Sequence, residues 1–98
     1  MNKPKIVASI PIPEEISAYA EKLTFEIDGY LNLINFLENN KNAASSDRFF
    51  QKYLELVKER SILMEEIRAT YVPEEYATSQ YRFEVHFSSA TISIEENV

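Results

Sequence analysis

The chain reads as an α+β domain: a long antiparallel helical hairpin with a small antiparallel β-sheet formed by the N- and C-terminal segments. Three observations predict it. Ile16, Ala20, Leu23, Ile27, Tyr30, Ile34 and Leu37 recur at alternating spacings of four and three. That is the seam of a helix packed lengthwise against another helix, as in a coiled coil. A second helical stretch follows a short polar loop, and the two chain ends switch to a period of two.

Each element has its own signature. Lys5 to Ile12 alternates, with Ile6, Ala8, Ile10 and Ile12 on one side and Val7 and Ser9 on the other, which predicts a strand over 5–12. Pro11 cannot donate to a ladder, so it marks a strand end or an edge. Pro13 suits the first helical position, and Glu14 and Glu15 suit the positive end of the helix dipole. The first helix is expected over 13–38. Asn39, Asn40, Asn42, Ser45 and Ser46 form the most loop-like window of the chain, with Ser46 or Asp47 able to cap a second helix over 46–72.

Val72, placed before Pro73, is pushed out of helical geometry. Val72-Pro73-Glu74-Glu75-Tyr76 echoes Ile12-Pro13-Glu14-Glu15-Ile16, but nothing beyond these residues matches. Two independent helix starts explain the echo, and a short helical turn is expected over 73–77. Tyr81, Phe83, Val85 and Phe87 then share one face of a strand over 80–87, with Arg82, Glu84 and His86 on the other. After Ser88 and Ser89 the apolar parity shifts to Ala90, Ile92 and Ile94, so a turn or bulge must absorb the change before a strand over 90–95.

Composition narrows the function. Ninety-eight residues supply one modest core and a single domain over 1–98. An apolar share of 45% is that of a folding chain, and one glycine argues for long helices over a turn-rich sheet protein. Cysteine is absent, which removes disulfides, thiolate metal sites and thiol nucleophiles together. Net charge is −6, the acidic residues fall partly in doublets, and the basic ones form no stripe. Nucleic-acid binding needs a concentrated positive footprint, so none is expected. No apolar window is long enough to span a membrane. The apolar run before Pro11 and Pro13 is too short for a secretory leader, so the expected location is cytoplasmic.

No motif carries chemistry. His86 is the single histidine, with Glu84 and Arg82 beside it on a strand face, and no nucleophile, second ligand or glycine-rich loop accompanies it. Adjacent carboxylates such as Glu65/Glu66 and Glu74/Glu75 point about 100° apart on a helix and do not converge. Neither catalytic, metal nor cofactor residues are therefore expected. Arg60 and Ser61 interrupt the apolar stripe of the second helix, with Arg60 opposite the Glu26 to Gly29 stretch, which predicts a structural pair with Glu26 or Asp28. The alternative is a polar site for a ligand or a peptide terminus. Gly29, mid-helix, costs roughly 1 kcal/mol relative to Ala and so suggests close packing against Arg60 or a partner's side chain, or a kink.

Six Tyr and six Phe exceed what one seam can take. The first helix is about 39 Å long, and a seven-residue strand reaches about 23 Å. The hairpin tip, around Leu33, Phe36, Leu37, Phe49, Phe50 and Tyr53, is thus expected to lack cover and to serve as a protein interface. The expected function is a non-enzymatic interaction module or small accessory subunit that docks on a larger protein or on a second copy of itself. The alternative is an accessory protein that presents an extended peptide to a modifying enzyme by strand addition, with Tyr81, Phe83 and Phe87 lining the pockets.

Overall fold

A computed structural model describes residues 5–40 and 43–97, with 43–46 as backbone only. The elements run β1 (Lys5–Pro11), α1 (Glu14–Asn39), α2 (Ala43–Tyr71), a 3₁₀ turn (Glu74–Tyr76), β2 (Tyr81–His86) and β3 (Thr91–Glu96). The class is α+β, as the periodicities predict. Contacts gather in two compact units, Met1–Tyr19 with Met64–Val98, and Ala20–Leu63. Each helix contributes residues to both.

The sheet unit places β3 in the middle, in the order β1-β3-β2, with both pairings antiparallel. Ile92 and Ile94 of β3 lie between Ile10 and Ala8 on one side and Val85 and Phe83 on the other, which makes one apolar face. Among the described residues, Ile12, Ile67, Ile92 and Ile94 are the buried large apolar residues of this unit. The parity shift needs no bulge between β2 and β3. His86 pairs with Thr91, so Phe87 to Ala90 form an even-numbered loop that exchanges odd for even positions. Ala90 closes that loop with φ at 49°, a left-handed conformation that a Cβ disfavours.

The alternation of β1 breaks once. A register shift between Ile6 and Ala8 leaves Val7 as the extra residue, and Ile6 stands opposite Glu95 instead of sharing the face of Ala8 and Ile10. Ile6 is accordingly exposed, against the sequence expectation. Pro11 fits for a definite reason. The Ile12 N–H bonds to the Ala90 carbonyl at 2.9 Å, so Pro11, one residue away, turns its missing donor to the free edge.

The hairpin unit is built on the predicted seam. Leu23 and Ile27 of α1 form a buried cluster with Leu56 of α2, and Tyr30, Tyr53, Val57 and Leu63 pack against it. Ala20 and Ile34 are buried as well. Tyr30 meets Phe49 with ring centroids 6.1 Å apart, so lower α1 numbers meet higher α2 numbers and the helices are antiparallel.

Helix ends differ slightly from expectation. The Pro13 carbonyl accepts from Ser17 N–H, which makes Pro13 the cap of a helix starting at Glu14. The Phe36 carbonyl accepts from both the backbone and side-chain nitrogens of Asn40 at the other end. The second helix starts at Ala43, earlier than expected, so Asp47 lies inside it. Asn42 and the Ser46 side chain, part of the expected loop and cap, lie outside the described residues.

Candidate functional site

The outward side of α1 in the hairpin unit carries a second apolar row. Phe25, Gly29, Leu33 and Phe36 follow at spacings of four, four and three, which places them along one ridge about 130° round the helix from the seam. The ridge is about 16 Å long at 1.5 Å per residue. Phe25 is 70% exposed, Phe36 63% and Leu33 37%. Large aromatics at that exposure have given up most of the roughly 1.5–3 kcal/mol that burial yields.

The tip residues named from sequence divide. Leu33, Phe36 and Phe50 are exposed; Leu37, Phe49 and Tyr53 are half-buried. Phe49 is held by Tyr30, and Phe50 stacks on Tyr53 at 6.0 Å. Phe25 was not among the expected tip residues. Its signal was the spacing to Gly29 and Leu33, hidden behind the stronger seam rhythm.

Gly29 interrupts the ridge. An added Cβ would meet nothing within 4 Å, and α1 runs unbroken through it. The expected close packing on Arg60 is therefore not what Gly29 serves. It forms the floor of an open notch of about 390 Å³ lined by Glu26, Gly29, Tyr30, Leu33 and Phe49. The expected pair of Arg60 with Glu26 or Asp28 is not formed either: among the described residues neither carboxylate has an ion pair with it. Arg60 is half-buried on α2, and Lys52–Glu55 at 3.7 Å is an ion pair within the same helix.

Charge flanks the ridge with one prevailing sign. Glu21 and Glu26 lie about 70° to either side of it at 100° per residue. Asp28 sits further round, and Lys22, the one cation of α1 here, stands on the ridge line itself, one turn before Phe25. The ridge is an apolar strip with acidic margins.

The polar face of the sheet is the other place where functional side chains meet. Arg82 Nε donates to Glu95 at 2.8 Å, and His86 Nε2 lies 2.8 Å from Ser93 Oγ. Ser93 is 3% exposed and Glu95 8%, although both point away from the apolar face, because flanking side chains on β1 and β2 screen the central strand. The His86–Ser93 couple satisfies buried polar atoms. No cluster of three or more His, Cys, Asp or Glu suited to a metal occurs among the described residues.

Tyr81 and Phe83, the candidate peptide-pocket residues, sit half-buried on the apolar face of β2, opposite Glu96 and Ile94. Tyr81 packs edge-on against Tyr76 at 5.0 Å. Phe87, the third, lies in the loop, where its carbonyl accepts a bond from Ser17 Oγ at 3.3 Å. No described helix is long and apolar enough to cross a membrane. No protein-family model, curated protein or solved structure matches the chain.

Proposed function

We propose that this protein is a non-enzymatic interaction module, a small accessory subunit whose hairpin docks on a larger protein. The observation that carries the reading is the ridge of Phe25, Leu33 and Phe36 in water beside the open notch over Gly29. Glycine in a helix interior costs about 1 kcal/mol. Here no neighbour in the same chain uses the space it leaves. A bulky apolar side chain from outside would use it.

The occupant that fits is an amphipathic helix of another protein, laying apolar anchors along the ridge and basic residues against Glu21, Glu26 and Asp28. A second copy of α1 is a poorer match, because the same acidic margins would face each other. Peptide capture by strand addition stands second, since of the two sheet edges only that of β2 is regular.

A photo-crosslinking residue at position 36 tests the reading, with position 58 on the outer side of α2 as control. The captured protein is identified, purified and titrated with wild type and with Phe36→Asp. Tenfold or greater loss of affinity in a variant that keeps its helicity is expected. Equal affinity for both would remove the ridge from the interface.

A further inference from the structure

The two edges of the sheet are not equivalent. β1 ends in Pro11 and is bulged at Val7, both features that discourage another strand from pairing there. β2 has neither proline, glycine nor bulge from Tyr81 to His86. Its outward donors can be assigned. Asn97 N–H bonds to the Gln80 carbonyl at 2.7 Å, so Gln80 and the alternate residues Arg82, Glu84 and His86 bond inward to β3. Phe83 and Val85 turn their N–H and C=O groups to the open edge. Among the described residues no strand pairs there, and no backbone bond outside the sheet reaches either residue.

We infer that β2 pairs with β2 of a second copy, antiparallel and about a two-fold axis at Phe83. The side chains select both occupant and register. With Phe83 opposite Phe83 of the second copy, Arg82 stands opposite Glu84 of the second copy, and Glu84 opposite its Arg82. These are non-hydrogen-bonded positions, where Cα atoms approach to about 4.5 Å and opposite charges attract. Tyr81 then faces Val85 of the second copy on the apolar side.

Shifting the register by two places sets Glu84 against Glu84, or Arg82 against Arg82, and like charges directly opposite are destabilising. Only the register centred on Phe83 satisfies both charges. Among the described residues Glu84 has no ion pair or hydrogen bond within its own chain, so it is available. Arg82 is held by Glu95 and still more than half exposed, which leaves guanidinium donors for a second carboxylate.

The backbone bonds run from Phe83 N–H to the Phe83 carbonyl of the second copy and from Val85 N–H to its Tyr81 carbonyl, each repeated by symmetry. Tyr81 N–H is taken by Thr78 at 3.1 Å and does not take part. The two sheets become one continuous sheet, and each particle carries two hairpins, which raises avidity for a partner that presents two docking sites.

The experiment is light scattering on the full chain from micromolar to millimolar concentration, with amide hydrogen exchange on the same samples. Wild type is expected to double its mass with rising concentration while the Phe83 and Val85 amides gain protection. Glu84→Arg sets Arg82 against a cation and is expected to halve the mass while circular dichroism stays unchanged. Val85→Pro removes an outward donor but also fixes φ and changes a half-buried side chain of the apolar face, so it serves as a second monomeric variant with circular dichroism unchanged. A wild type that stays monomeric throughout overturns the inference. So does a dimer that both variants leave intact, or Phe83 and Val85 amides protected only when a foreign peptide is added.

Discussion

The sheet unit and the hairpin unit handle their side chains in opposite ways. In the sheet unit even polar residues are enclosed: Ser93 and Glu95 are buried and each has a partner, His86 or Arg82. In the hairpin unit large apolar residues are left in water: Phe25, Leu33, Phe36, Phe50, Leu54 and Ile62 are all exposed. Charge divides too. Residues 20–63 hold seven acids and six bases, a net of −1, so the remaining −5 of the total −6 falls on the rest of the chain. A region that is near neutral and apolar on its outside is suited to being covered; an acidic region with a satisfied polar face is suited to solvent. The difference puts the buried cores in the sheet unit and along the seam, and leaves two surfaces for the proposed contacts, the outer ridge of the hairpin unit and the open β2 edge of the sheet unit.

Substitutions can break or sharpen that contrast. The largest effect is expected at the centre of the sheet, where Ile94→Ala removes a side chain that is almost wholly buried. It should cost about 2–5 kcal/mol in urea unfolding. Gly29→Ala should act the other way, raising stability by about 1 kcal/mol, because the new methyl meets nothing and the helix gains its propensity. The same change should weaken a partner that fills the notch, so calorimetry of folding and of binding would move in opposite directions.

The smallest effect concerns the exposed pair of Arg68 and Glu65 on α2. Arg68 donates to the Glu65 carboxylate and holds its pKa below the ordinary carboxylate range, while the Arg68 pKa is raised in return. A depressed carboxylate contributes at neutral pH, and the contribution fades as pH falls through its lowered folded value. Both groups are solvent-exposed, so the effect on stability is slight. NMR titration of Arg68→Ala should show Glu65 titrating at higher pH than in wild type.

What sequence reveals here follows from how strongly periodicity is enforced. The seam of Ala20, Leu23, Ile27 and Ile34 was legible because burial demands apolar residues at each of those positions. So was the two-residue period of Tyr81 to Val85. The bulge at Val7 was not, because every second residue from Ile6 to Ile12 is apolar and the extra residue is set by pairing with a distant strand. Burial of Glu95 was equally hidden: it follows from β3 lying between two neighbours, an order that periodicity does not encode. The absent pair of Arg60 with Glu26 or Asp28 shows a further limit. Tyr30 meets Phe49, and Leu23 and Ile27 cluster with Leu56, which sets Arg60 level with the Ala20 to Leu23 stretch and short of Glu26. The position of the turn between two helices is what periodicity leaves open.

The most direct measurement is the urea unfolding free energy of the Phe25→Asp, Phe36→Asp double variant beside Ile27→Asp. If the ridge exists for contact and the seam for folding, the double variant should stay within about 0.5 kcal/mol of wild type, as surface substitutions do. Ile27→Asp, which buries a charge at the seam, should unfold the chain. A loss of several kcal/mol in the double variant would contradict the account, because it would mean that the ridge is part of the protein's own core.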